Sequence, residues 1–168
     1  MSETNAFELH LTAENQLAGL PESVIEAAAL SAKHKNKDGW IITLDYPSYI
    51  PFMTYADNRE LRKELAIAAG KKSFQNNAFD NQENVKRIVE LRHKRANLLG
   101  YLSHSHFVLE ERMAQNPEKV QSFLNDLLEK AKPAAQKEFA ELTAFAAALD
   151  GIDQLEKWDG AYYSEKLK

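Results

Sequence analysis

Phe7-Glu8-Leu9-His10-Leu11 alternates apolar and polar side chains at period two, the pattern of a half-buried strand. Gly39-Trp40-Ile41-Ile42-Thr43-Leu44 is a second β-rich run, stopped by Asp45-Tyr46-Pro47. Between them, Pro21-Glu22-Ser23 opens a helical stretch with Val24, Ile25, Ala28 and Ala32 on one face. Two strands are too few to stand alone in water, so they are expected to be an annex to a helical body.

Beyond Leu44 the helical period dominates. Asp57-Asn58-Arg59-Glu60 places an acid at a predicted N-cap three residues before a glutamate, and Leu61, Leu65 and Ala68 follow toward Gly70. Lys71 to Asn84 has no period and reads as a loop. A helix is predicted from Gln82 to Leu99, with Val85, Ile88, Val89, Ala96 and Leu99 apolar and Gly100 at its C′ position. A shorter one is predicted from Ser103 to Ala114. The longest begins at Asn116-Pro117-Glu118, and its apolar stripe runs through Val120, Leu124, Leu127, Ala131, Ala135, Phe139, Leu142, Phe145 and Leu149. The stripe keeps phase across Pro133, which predicts one kinked helix of about 33 residues closed by Asp150-Gly151. Asp159 is placed to cap a last helix carrying Ala161, Tyr162, Tyr163 and Leu167. The fold class is therefore mainly α, a helical bundle-like single region over 1–168 with a minor two-stranded β element near the N-terminus.

The composition narrows the function classes. Hydrophobic residues make up 44% and charged residues 27% of the 168, within the globular range. The net charge of −4 offers no footprint for a phosphate backbone, so no nucleic-acid partner is expected. The absence of cysteine removes disulfide frameworks, thiolate metal sites and cysteine nucleophiles. No run reaches the length of a membrane span, and Met-Ser-Glu-Thr-Asn-Ala-Phe lacks the regions of a signal peptide. A cytoplasmic location without membrane contact is expected.

Catalytic chemistry is absent from the pattern. A zinc hydrolase commonly needs two histidines at i and i+4 with a glutamate beside them, and His10, His34, His93, His104 and His106 contain no such pair. His106 and Glu110 have ligand spacing, but two ligands cannot close a site, and the pair reads as solvated polar residues of a helix N-terminal turn. There is no G-x-S-x-G elbow, no S-x-x-K and no glycine-rich phosphate loop. Neither catalytic nor metal-binding residues are assigned. The distinctive segments are aromatic: Thr43 to Met53 and Trp158-Asp159-Gly160-Ala161-Tyr162-Tyr163, readable as core anchors or as a wall that holds peptide.

These segments carry a resemblance. Leu17-Ala18-Gly19-Leu20-Pro21-Glu22, Trp40 through Tyr49, Asn58-Arg59-Glu60-Leu61-Arg62, Leu91-Arg92 through Leu98-Leu99-Gly100-Tyr101, Arg112-Met113-Ala114 and Trp158-Asp159 with Tyr162-Tyr163 run in one order. That order resembles the thimet oligopeptidase, oligopeptidase A and peptidyl-dipeptidase family of zinc metallopeptidases, from about residue 17 to the last. Ala69-Gly70 departs from the better helix of that pattern.

The resemblance implies a fragment of a larger, mostly helical enzyme that hydrolyses short peptides in a deep channel. The family's HExxH helix and glutamate ligand lie beyond the segment where this sequence stops. Zinc is thus implied for the parent and none for this stretch, which would supply scaffold or channel wall, with Tyr162 and Tyr163 as the channel candidates. The implied partners are short peptides and the catalytic portion of the same chain. The alternative is a non-enzymatic helical interaction module. Self-association is expected if Trp158, Tyr162, Tyr163, Leu167 and the Phe139-Leu142-Phe145 stretch face water.

Overall fold

The computed structural model describes residues 6–168. Met1 to Asn5, most of the stretch read for signal-peptide features, lies outside the described residues. The fold is mainly α with one small sheet: β1 (Leu9–Leu11), α1 (Glu22–His34), β2 (Trp40–Ile42), α2 (Tyr46–Tyr55), α3 (Arg59–Gly70), α4 (Gln82–Leu98), α5 (His104–Leu109), α6 (Pro117–Asp150) and α7 (Gly160–Lys166). A 3-10 turn covers Glu14–Leu17. The chain divides into two compact units, one made of the described residues up to Phe79 with Ala140–Lys168, the other of Asp80–Phe139.

In the first unit, β1 and β2 pair antiparallel with Leu9 opposite Ile42 and Leu11 opposite Trp40. The strands are shorter than their alternation predicts, but the alternation holds: Leu9 and Leu11 are buried and His10 is exposed. Gly39, at φ +83°, lets the chain pass so close to Leu11 that a Cβ would sit 2.3 Å from its carbonyl oxygen. α1 packs on β2. Together they enclose a core of Leu9, Leu11, Leu17, Leu20, Ala28, Ile42, Leu44, Phe52, Met53, Ala56 and Leu65.

α2 takes in most of the aromatic segment from Thr43 to Met53. Pro47 falls in the first turn, where its missing N–H costs nothing, and Pro51 lies inside the helix. Burial of Phe52 and Met53 compensates for the lost hydrogen bond, while Tyr46 remains exposed at the helix start. α3 starts one residue later than predicted. Asn58, not Asp57, is the N-cap, and its side-chain oxygen accepts from the Leu61 amide at 3.1 Å.

In the second unit α4 ends as predicted. Gly100 adopts φ +86°, with Tyr101 N–H donating to the Ala96 carbonyl and Gly100 N–H to that of Asn97, the paired bonds of a left-handed helix terminus. α5 stops at Leu109, five residues short of the prediction. Glu110 and Glu111 follow at the negative end of the dipole and disfavour continuation. Tyr101 and Phe107 meet edge to face, with the Arg95 guanidinium 4.8 Å from the Phe107 ring centre.

α6 runs unbroken through Pro133, within one residue of the predicted end. Asn116 caps it, accepting from the Lys119 amide at 2.9 Å. Its final turns belong to the first unit, where Leu142, Phe145 and Ala146 pack with Tyr162, Tyr163, Ile152 and Leu155.

Candidate functional site

α3 carries Arg62 three positions before Leu65, so both side chains project from the same helix face into the interior. Arg62 is 1% exposed and Leu65 is fully covered. A guanidinium cannot be buried there unless its donors are all occupied and its charge is compensated. Its Nη1 donates to the carbonyls of Ala56 at 2.7 Å and Asp57 at 3.2 Å, and its Nε to the carbonyl of Trp158 at 3.1 Å. Its Nη2 reaches Asp159 Oδ1 at 3.3 Å. The ring of Tyr162 lies 3.9 Å from its central carbon.

Asp159 is fully buried and receives a second arginine. Arg59, one helical turn before Arg62, donates through Nε to Oδ1 at 2.9 Å and through Nη2 to Oδ2 at 2.7 Å, a bidentate pair. The Glu156 amide donates to Oδ2 at 3.0 Å. Burial pushes the Asp159 carboxyl up, but the hydrogen bonds from Arg59, the Glu156 amide and Arg62 outweigh it and hold the group below the usual carboxylate range. Asp159 stands at the expected N-cap position, but its side chain does other work. Asp159 precedes α7 but makes no side-chain cap bond, because its oxygens are committed to the arginines.

The tyrosines complete the cluster. Tyr162 donates to Asp57 Oδ1 and Tyr163 to Asp150 Oδ2, each at 2.8 Å, and their rings meet edge to face. Burial, followed by these carboxylate hydrogen bonds, raises both phenols to about 12. Lys166 pairs with Asp57 at 3.2 Å. A surface concavity of about 540 Å³ opens over Asp57, Arg59, Asp150, Tyr162, Tyr163 and Lys166. Near neutral pH this arrangement holds Asp159 ionised and both phenols protonated. Chemically it is a lock.

Three of the segments that carry the family resemblance meet here. Ala18 accepts from the Asp57 amide at 2.8 Å, and Gly19, at φ +84°, passes so close that a Cβ would stand 2.2 Å from the Tyr55 carbonyl oxygen. Leu17 to Glu22, Asn58 to Arg62 and Trp158 to Tyr163 are thereby stapled together. The pairing of Arg62 with Asp159 spans 97 residues, and no spacing rule could find it. The available signal was an arginine standing inside the stripe of Leu61, Leu65 and Ala68.

The expectation that the C-terminal aromatics face water is overturned. Tyr162 and Tyr163 are 6% and 1% exposed, and Trp158 is half-buried with Arg59 and Lys63 near its ring. Leu142 and Phe145 are half-buried, whereas Leu167 and Phe139 are exposed. The reason is local: α7 folds back on α2 and on the last turns of α6, covering the rings within the first unit.

His106 and Glu110 are not aimed at a common point. His106 Nδ1 lies 2.8 Å from Ser103 Oγ and its Nε2 lies 3.6 Å from Glu118, while Glu110 accepts from the Tyr101 hydroxyl. Among the described residues no three histidine, aspartate or glutamate side chains converge as a metal would require. No helix among the described residues is long and apolar enough to cross a membrane.

Comparison with known proteins agrees with the motif order. The chain is 45% identical over 94% of its length to oligopeptidase A of Salmonella typhimurium and, at the same identity and coverage, to that of Escherichia coli. It is 30% identical over 91% of its length to dipeptidyl carboxypeptidase of Escherichia coli. The chain spans about a quarter of the length of these relatives, 24%, 24% and 23% respectively. The model of Peptidase family M3 matches residues 52–168, a stretch that takes in α3, Asp159 and both tyrosines, and the chain belongs to that family.

Proposed function

We propose that these 168 residues act as one non-catalytic scaffold region of a larger, zinc-dependent oligopeptidase that hydrolyses short peptides. The observation that carries the reading is the lock itself. Its buried side chains serve to join α3 to the segment leading into α7, and every charge in it has a partner within the first unit. Similarity to oligopeptidase A and to dipeptidyl carboxypeptidase supports the peptidase class. The metal and the hydrolytic groups would then be supplied by chain outside this stretch, and no chemical step is assigned to its own residues.

Tyr162 and Tyr163 are proposed to back the wall of a peptide channel. They line the concavity while their hydroxyls are held by Asp57 and Asp150, so they would shape the wall and leave recognition to other groups. A cytoplasmic enzyme is the setting consistent with the bacterial relatives and with short peptide substrates.

The test is direct. The chain alone is dialysed, assayed for metal and incubated with a mixture of short peptides. Neither retained stoichiometric zinc nor cleavage is expected. A chimera of oligopeptidase A in which these residues replace the matching quarter should cleave peptides and lose that activity to a chelator. Cleavage by the chain alone would overturn the scaffold role, and a folded but inactive chimera would overturn the peptidase reading.

A further inference from the structure

The middle of α6 is a helix without cover. Every residue from 121 to 140 is exposed, including Leu124 at 51%, Leu127 at 45% and Leu128 at 57%. Leu124, Leu127, Ala131 and Ala135 recur at steps of three and four, the stripe of a helix that packs along one side. The same stripe, seven residues further on, is the face that Tyr162 and Tyr163 cover at Leu142, Phe145 and Ala146. It is in phase with a packed face and is exposed from Leu124 to Ala135.

A lone helix gains little from its backbone in water, and most helical stability in proteins comes from packing of the apolar face. Something must cover this one. The flanking charges are mixed in sign, Asp126 and Glu129 beside Lys130 and Lys132, which does not match the lysine-rich polar face that anionic lipid attracts. The alanines at 131 and 135, which follow the bulkier Leu124 and Leu127 along the same face, would admit another helix at close range. The relatives meanwhile carry about three quarters of their length beyond what this chain covers.

We propose that the Leu124, Leu127, Ala131 and Ala135 face is the docking seam for an amphipathic helix contributed by the remaining portion of the M3 peptidase chain. The proposal rests on the reading of this chain as part of a larger peptidase. It adds which surface makes the join: the seam lies on mid-α6, and the aromatic end around Trp158 is already satisfied by its own unit.

Amide hydrogen exchange over residues 121–140 is compared between the 168-residue chain and the chimera with Escherichia coli oligopeptidase A, with sedimentation of both. The chain alone is expected to be monomeric and to exchange this stretch fast; the chimera should slow it by roughly a hundredfold or more. The double substitution Leu124→Asp with Leu127→Asp should abolish that protection in the chimera and leave the unfolding midpoint of the chain alone unchanged. Ser122→Asp, on the opposite side of the helix, should do neither. Strong protection in the chain alone overturns the proposal, whether it comes from an intrachain contact or from concentration-dependent pairing of two copies. A chimera that cleaves peptide while this stretch still exchanges fast also overturns it, as does one recovered only unfolded. A chimera that protects the stretch but cleaves nothing supports the seam and counts against the hydrolytic reading instead.

Discussion

Arg62 and Asp159 are the buried charged pair of the first unit, 1% and 0% exposed, joined at 3.3 Å between Nη2 and Oδ1 across 97 residues of sequence. Removing the carboxylate strands a guanidinium that water cannot reach. Asp159→Ala is therefore expected to destabilise the first unit by about 3 to 5 kcal/mol, the usual result of breaking one side of a buried pair. Arg59→Ala should cost well under half as much, because Arg59 is partly solvated and Arg62 still neutralises the aspartate. Urea unfolding followed by tryptophan fluorescence reads this unit alone, since both tryptophans, Trp40 and Trp158, lie in it. Equal midpoints for the two variants would contradict the ranking.

How much of this was legible in the sequence depends on the range of the interaction. Period and caps located α1, α4 and α6 to within a residue or two, because helix signals are local, and the Gly100 terminus could be read from a single glycine. α2 was missed because Pro47 and Pro51 are breakers in a local reading; burial of Phe52 and Met53, a tertiary effect, overrides them. The lock was read only in pieces. Asp159 followed by a short helix looks like a cap from sequence, and only the return of α3 from a hundred positions earlier turns it into the counter-ion of two arginines.

Alkaline pH should open the first unit through its tyrosines. Both phenols are raised from 10 to about 12 in the folded chain, so the folded state holds its protons more tightly than the unfolded one. Stability from this source is complete below pH 10 and is lost as pH rises through the folded values toward 12. Tyr162→Phe with Tyr163→Phe should flatten that limb. Unchanged alkaline loss in the double variant, followed by tyrosinate absorbance and circular dichroism together, would refute the assignment.

The acid limb has a different origin. Hydrogen bonds from Lys35 and Lys37, each at 2.5 Å, lower Glu8 from 4.5 to about 2. A depressed carboxylate stabilises the fold above its unfolded value, and the benefit disappears as pH falls from 4.5 toward 2. Glu8→Gln should remove that part of the acid dependence while leaving the alkaline limb as it was. Titrating both proteins by fluorescence midpoint in urea separates the two.

Gly19 and Gly100 share a left-handed backbone, φ +84° and +86°, but differ in their surroundings. A Cβ at Gly100 meets nothing within 4 Å, so Gly100→Ala should cost only the backbone penalty of about 1 to 2 kcal/mol. At Gly19 the same methyl would collide with the Tyr55 carbonyl at 2.2 Å and the Asp57 carboxylate at 2.7 Å. Gly19→Ala should cost clearly more, and it should disturb the Tyr162 hydroxyl bonded to Asp57. Comparable losses in the two variants, each measured in its own unit by hydrogen exchange, would show that the crowding at Gly19 is relieved by a small backbone shift.

Pro133 gives the most local test. Inside α6 it has no N–H to donate, so the carbonyl of Glu129 loses its helical partner, and its ring crowds that turn. In a packed helix tertiary contacts could offset this, but residues 121–140 are exposed all round. Pro133→Ala should therefore recover much of the roughly 3 kcal/mol by which proline lags alanine in a helix interior. The gain should appear as slower amide exchange on both sides of position 133 and as a rise in helical circular dichroism. The fluorescence midpoint should not move, because both tryptophans report the other unit. If exchange in this stretch stays as fast as before, the proline is incidental to the stability of the middle of α6.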